Sequence, residues 1–183
     1  SSSATVYGRP SQLPFNEKHP LAPTTTYGTT KYMIESIIDR VSASDLAWRA
    51  ISLRYFNPIG GHPTGLLGDL YGRSSENIMP NLINVANRAQ KDLLIFGNDY
   101  PTPDGTAIRD YVHVMDVAEA HVMALEHIDE KIGHQKFNLG SGRGVSVLEL
   151  VRSFEAATKL EIPIRYCERR KGDLPEFYAD CSK

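Results

Sequence analysis

The residues Tyr27-Gly28-Thr29-Thr30-Lys31 set a phenol and an ammonium four positions apart. Residues at that spacing share one face of a helix, so the two side chains can act as a unit. A free phenol ionises near pH ~10 and is a poor base at neutrality, but a cation held beside it favours the phenolate. The pair is therefore a candidate general base. By itself Tyr-x-x-x-Lys carries little information, because any amphipathic helix can show it.

The elements that must position the pair are legible around it. Tyr32 to Val41 continues with the apolar spacing of a helix packed on a core. Upstream, Ser1 to Ser3 read as the carboxyl end of a strand, where open α/β sheets carry their sites; serines here equally serve to cap or satisfy backbone. Arg9 to Thr26 is a loop, with Pro10, Pro14, Pro20 and Pro23 blocking regular structure. Arg49 to Phe56 is a compact, mostly apolar strand of the kind buried in a parallel sheet, with Phe56 and Asn57 at its end. The Asn57 amide both donates and accepts, although Asn57-Pro58 also reads as the start of a turn.

Further along, Ile59 to Ser75 is glycine-rich and reads as an exposed loop, and Asn77 opens a helix through Ala89. Leu93 to Phe96 is a short strand. Asp116 is placed to cap a helix on which Val117, Ala120, His121 and Ala124 recur at helical spacing. His113 and His121 read as structural, because no cysteine or carboxylate cluster marks a metal site. Lys136 to Leu139 is strand-like, and Gly140-Ser141-Gly142-Arg143-Gly144 reads as a turn rather than a dinucleotide loop, since no acidic residue about ~20 positions on ends a second strand. Ser146-Val147-Leu148-Glu149 is a capping box ahead of Leu150, Val151 and Phe154. Arg109, beside Asp110, and the run Arg169-Arg170-Lys171 are the basic groups that could meet an anion, or pair with acidic neighbours.

At 183 residues, 41% hydrophobic and 23% charged, the composition is globular, enough for one domain or parts of two. A net charge of −2 offers no basic footprint for nucleic acid, and no apolar run is long enough to cross a membrane. Cys167 and Cys181 lack a CxxC or His-rich partner segment and read as free thiols of a reducing cytosol, with no metal site. The composition therefore points to a cytoplasmic protein acting on small molecules.

The motifs Ser1-Ser2-Ser3-Ala4-Thr5-Val6-Tyr7-Gly8, Tyr27-x-x-x-Lys31, Leu53-Arg54-Tyr55-Phe56-Asn57-Pro58, Phe96-Gly97-Asn98-Asp99-Tyr100, Arg109-Asp110-Tyr111-Val112-His113-Val114 and Arg169-Arg170-Lys171-Gly172-Asp173-Leu174-Pro175 occur in one order. Together they make the chain resemble the extended short-chain dehydrogenase/reductase family, nearly end to end, and within it the enzymes that act on UDP-galactose and UDP-glucose.

The resemblance implies an α/β fold: the C-terminal part of a Rossmann-type doubly wound parallel sheet plus a smaller α/β substrate-binding domain. Residues 1–58 would be the remainder of the NAD-binding domain, and 59–183 mainly the nucleotide-sugar domain, incomplete at its end. It implies that the chain is a fragment, because the family's cofactor sheet needs a first strand and glycine turn before Ser1. The implied activity of the complete protein is reversible C4 epimerisation with bound NAD, as a homodimer that uses the helix starting at Tyr27. Ser3, Tyr27 and Lys31 match the family's catalytic and cofactor-binding triad, and Phe56 the residue backing the nicotinamide. Asn57, Asn77, Ile78, Leu94, Ile95, Phe96, Arg109, Arg170, Asp173 and Phe177 match positions that meet the sugar nucleotide. The glycine-rich segment departs from the family at Gly68 to Glu76, where its acidic segment and Asn-rich turn are replaced. Phe177 stands where relatives carry a small residue or a tyrosine, which implies little room for a 2-acetamido group.

Other readings remain open at this level. A 4,6-dehydratase would place an acidic pair where Ala4 and Thr5 stand, and a decarboxylase needs a basic residue near the sugar that is not identifiable. The chain alone could also be a non-catalytic UDP-sugar-binding module.

Overall fold

The computed structural model describes residues 1–45, 47–68, 77–130 and 132–183. The departure anticipated within Asp69–Glu76 lies outside these residues. In chain order the strands are β1 (Ser2–Ser3), β2 (Arg49–Tyr55), β3 (Asn57–Ile59), β4 (Leu93–Phe96), β5 (Ile108–His113), β6 (Gly133–Leu139), β7 (Gly144–Ser146), β8 (Ile164–Cys167) and β9 (Glu176–Phe177). The helices are α1 (Thr26–Ser44), α2 (Ile78–Ala86), α3 (Val114–Glu126) and α4 (Val147–Thr158). The chain forms two compact units: residues 1–58, 110–143 and 177–183 in the first, and 59–109 and 144–176 in the second. One division falls after Pro58, and 110–143 and 177–183 belong to the first unit.

The first unit holds a three-stranded parallel sheet in the order β1-β2-β6. Ser2 and Ser3 stand beside Arg54 and Tyr55, and Arg54 beside Asn138. This is the expected strand end carrying Ser3. Next to it lies a core of Ala4, Val6, Tyr7, Phe15, Phe56 and Ala179. Asn57 continues into β3 instead of starting a turn. α1 contradicts the expectation of apolar packing: its buried residues are Gly28, Glu35 and Ser42, while Met33, Ile34 and Ile37 are 57%, 47% and 62% exposed. The apolar spacing is present, but it faces away from the sheet. α3 is capped by His113, whose ring accepts from the Met115 N–H at 3.1 Å. Asp116 sits inside the first turn, so it does not cap the helix as expected. The His113 ring nitrogen, three residues ahead, takes the role instead.

In the second unit β4 and β8 pair in parallel, and one core joins them to two helices through Leu82, Val85, Leu93, Ile95, Val151 and Ile162. α2 stops at Ala86 rather than Ala89, because Arg88 turns to φ 60°, outside the helical region. The capping box opens α4 as expected, with Ser146 accepting from the Glu149 N–H at 2.9 Å. No helix among the described residues is long and apolar enough to cross a membrane.

Candidate functional site

The first unit brings Ser3, Tyr27 and Lys31 to neighbouring elements. α1 begins at a Thr25 cap that accepts from the Gly28 N–H at 3.0 Å. A side chain at Gly28 would come within 2.6 Å of the Thr5 carbonyl, so glycine lets the first turn approach the strand end that closely. Tyr27 stands 56% exposed in that turn. The Lys31 ammonium lies 5.7 Å from the centre of its ring and donates to the Ser1 carbonyl at 3.3 Å. The ammonium thus lies beside the Tyr27 ring on one face of α1 and against the carbonyl of the residue that precedes β1. Ser3 does cap: its hydroxyl oxygen accepts from the Thr5 N–H at 3.3 Å and from the Thr5 hydroxyl at 2.9 Å. Both of those bonds use its lone pairs, which leaves its own proton to donate elsewhere.

Beneath these residues runs a buried polar network that the sequence reading missed. The Glu35 carboxylate takes two hydrogen bonds from Arg54, Nε to Oε1 at 3.0 Å and Nη2 to Oε2 at 2.6 Å, and a third from the Ser2 hydroxyl at 2.5 Å. Arg54 also donates to the Tyr7 hydroxyl at 3.0 Å, which donates to Asn138 at 2.6 Å. Asn138 in turn donates to the Phe15 carbonyl at 2.7 Å. Glu35 and Arg54 are each 2% exposed. Burial pushes the Glu35 carboxyl up, but the bonds from Arg54 and Ser2 outweigh it and hold it below the ordinary carboxylate value. Burial likewise pushes the Tyr7 phenol up, only partly offset by Arg54. A signal was available, since a lone arginine inside a mostly apolar strand requires a buried partner. Glu35, one turn beyond Lys31 on the same face, was the candidate.

Phe56 and Phe177 meet in this unit, ring centres 5.4 Å apart, each packed on the fully buried Phe15. Asn57 lies half-buried beside Phe56. Asp110, fully buried, accepts from the Ser141 N–H and hydroxyl at 2.6 and 2.7 Å, and from the Gly142 and Ala179 N–H groups at 3.1 Å. A side chain at Gly140 would fall 2.4 Å from that carboxylate. The glycine cluster is thus a turn wrapped on Asp110, and Asp110 is not the partner of Arg109.

In the second unit Arg109 donates to Asp173 at 3.2 Å and to the Leu174 carbonyl at 2.9 Å. Arg170 donates to the other Asp173 oxygen at 3.0 Å and lies 5.2 Å from the centre of the Phe96 ring. Two guanidinium groups, one carboxylate and one flat ring therefore converge from residues far apart in sequence. Arg170 is exposed and each guanidinium keeps donors for an anion. Leu94 is half-buried on β4, and that strand's edge away from β8 carries no strand among the described residues. The Ile95 side chain is 2% exposed in the core, and the half-buried Ile78 packs against the same core. Asn77 precedes α2 without a side-chain cap bond, and its carbonyl accepts from Asn81 at 2.7 Å.

A family model described as NAD dependent epimerase/dehydratase family matches residues 1–140. Over all 183 residues the chain is 51% identical to a UDP-glucose 4-epimerase of Neisseria meningitidis, covering 54% of it. A solved UDP-glucose 4-epimerase from Stenotrophomonas maltophila, with bound NAD and formylated UDP-arabinopyranose, aligns over 99% of this chain and 54% of its own, at 42% identity and a TM-score of 0.95. Another, from Bifidobacterium longum in complex with NAD+ and UDP, aligns over 100% and 55%, at 46% identity and a TM-score of 0.94. The chain spans about half the length of the curated relatives it matches.

Proposed function

The chain belongs to the NAD dependent epimerase/dehydratase family, and on that premise we propose that the full-length protein interconverts UDP-galactose and UDP-glucose at C4, with NAD as its resident cofactor. In this reading the first unit's sheet is the C-terminal part of a Rossmann-type doubly wound sheet, and the second unit is the nucleotide-sugar domain. The observation that carries the proposal is the placement of Lys31, against the Tyr27 ring and against the carbonyl of Ser1, the residue that leads into the strand bearing Ser3. The 51% identity to a protein named UDP-glucose 4-epimerase agrees with it.

The residues present fit NAD: a phenol and an ammonium on one helical turn are the donors a ribose diol needs, and Phe56 supplies an apolar ring. When bound, NAD supplies the hydride acceptor for C4. Tyr27, as phenolate, takes the proton of the 4-hydroxyl, becomes neutral and later returns it, and the Lys31 charge offsets the anion carried on the phenol oxygen before the proton arrives. Ser3 donates its free proton to the reacting sugar oxygen. Arg109 and Arg170 hold the pyrophosphate, Asp173 holds the uridine ribose, and the β4 edge at Leu94 to Phe96 meets the base, with Asn57, Asn77 and Ile78 along the nucleotide sugar. Strong contacts thus fall on the nucleotide, which leaves the hexose free to present its other face.

Two finer points belong to the same reading. The Phe177 ring, fixed by Phe15 and Phe56, walls the sugar's C2 side, so N-acetylated UDP-sugars are poor substrates. The exposed Met33, Ile34 and Ile37 form the contact of a homodimer in a reducing cytosol, where Cys167 and Cys181 stay free thiols. The test is to incubate the full-length protein with UDP-galactose and resolve the products chromatographically. Appearance of UDP-glucose that Tyr27→Phe abolishes is expected; a sugar left unchanged by protein that holds NAD would move the reaction elsewhere in the family.

A further inference from the structure

The buried carboxylate of Glu35 ties together the three elements α1, β1 and β2. It lies on α1 with Tyr27 and Lys31, accepts from Ser2 next to Ser3 on β1, and takes two bonds from Arg54, two residues before Phe56 on β2. The buried residues of α1 are Gly28, Glu35 and Ser42, none of them a hydrocarbon side chain, while its Ile38 and Val41 are only half-buried. The specific contacts that seat the helix are the close approach of Gly28 to Thr5, the planar fork of Arg54 on Glu35, and Asp39 on His134 and Lys136. A two-bond Arg–carboxylate pair fixes orientation as well as distance.

We propose that Glu35 and Arg54 are positioning residues for proton transfer, a clamp that fixes the rotation of α1 and so aims Tyr27 and Lys31 at Ser3. This rests on the reaction assigned above. A turn of the helix by about 10° moves an atom about 6 Å from the axis by about 1 Å. A misplacement of about 1 Å costs about 10²-fold in rate.

The experiment uses full-length protein and compares Glu35→Gln, which keeps the shape and removes the charge, with the double variant Glu35→Leu/Arg54→Met, which removes both charges and restores apolar packing. UDP-galactose turnover by the unmodified protein is measured first; its absence overturns the functional reading without touching the clamp. Given turnover, the clamp predicts kcat lowered about 10²-fold in both variants, with KM little changed because the Arg109–Asp173–Arg170 cluster is untouched, and the loss persisting in the double variant even where its melting point equals that of the unmodified protein. A folded double variant with unaltered kcat, or a loss carried wholly by KM, overturns the proposal. Amide hydrogen exchange supplies a readout independent of turnover: the double variant should exchange faster across residues 27–31 with the β2 and β6 amides unchanged. Unchanged exchange at 27–31 contradicts the clamp whatever the reaction is.

Discussion

The two units seat their helices by opposite means. α1 lies on its sheet through a glycine contact and ionic groups, Glu35 on Arg54 and Asp39 on His134 and Lys136. α2 and α4 are joined to β4 and β8 through six buried hydrocarbon side chains. Hydrocarbon packing tolerates small slides and rotations at modest cost, whereas a two-bond ion pair in a dry interior has one good geometry. On the proposed function, the contact with one good geometry lies in the unit that bears Tyr27 and Lys31, and the adaptable packing in the unit that bears Arg109 and Arg170.

Cutting the clamp on one side is expected to have the largest effect. Arg54→Met leaves the Glu35 charge buried alone and should destabilise the first unit by about 3–5 kcal/mol, read by urea unfolding through the fluorescence of Trp48, the chain's one tryptophan. The double variant Glu35→Leu/Arg54→Met should recover most of this; if it is as unstable as the single variant, unpaired charge is not the cause. In the second unit, Leu82→Ala removes a fully buried side chain and should cost about 2–5 kcal/mol, graded by how far the core collapses into the space. A loss there that depends on salt or pH would blur the contrast between the units.

pH separates them further. His134 is held below its ordinary value of 6.5 by burial and by the Lys136 charge, against the pull of Asp39. The unfolded chain therefore takes up that proton first, and the first unit loses stability as pH falls from about 6.5. Glu35, lowered, contributes fully above its ordinary value of 4.5 and loses its contribution as pH falls below that. In the second unit Asp104, raised by burial but lowered further by Ser146 and Thr106, loses its contribution only as pH falls below its ordinary value of 3.8. Hydrogen exchange at pH 7, 5.5 and 4.5 should show β2 and β6 weakening before β4 and β8. Simultaneous weakening would remove the distinction.

Smaller effects sharpen the site assignments. Arg170→Ala should weaken UDP binding about 10- to 100-fold by calorimetry, the range of a lost hydrogen bond to a charged group. Cutting the exposed pair of Arg49 and Asp129 should change stability by less than about 1 kcal/mol, since both side chains are solvated.

The same contrast explains what the sequence disclosed. The parallel strands, the Ser146 capping box and the helix over residues 147–158 follow from periodicity and turn chemistry, because hydrocarbon cores write themselves into spacing. α1 was misread for that reason: its apolar stripe is real but faces outward, and the face on the sheet is Gly28, Glu35 and Ser42. The convergence of Arg109, Arg170 and Asp173 could be matched by resemblance, yet spacing alone could not bring positions 109 and 173 together. Asp110 was invisible as a hub because backbone N–H groups leave no mark in a sequence.

The central claim is that one bound cofactor takes a hydride from C4 and returns it within a turnover, while Tyr27 handles the proton. UDP-galactose carrying deuterium at C4, incubated with the full-length protein and followed by NMR, tests it most directly. The account predicts UDP-glucose with the deuterium retained at C4. Loss of the label to water during conversion would contradict it.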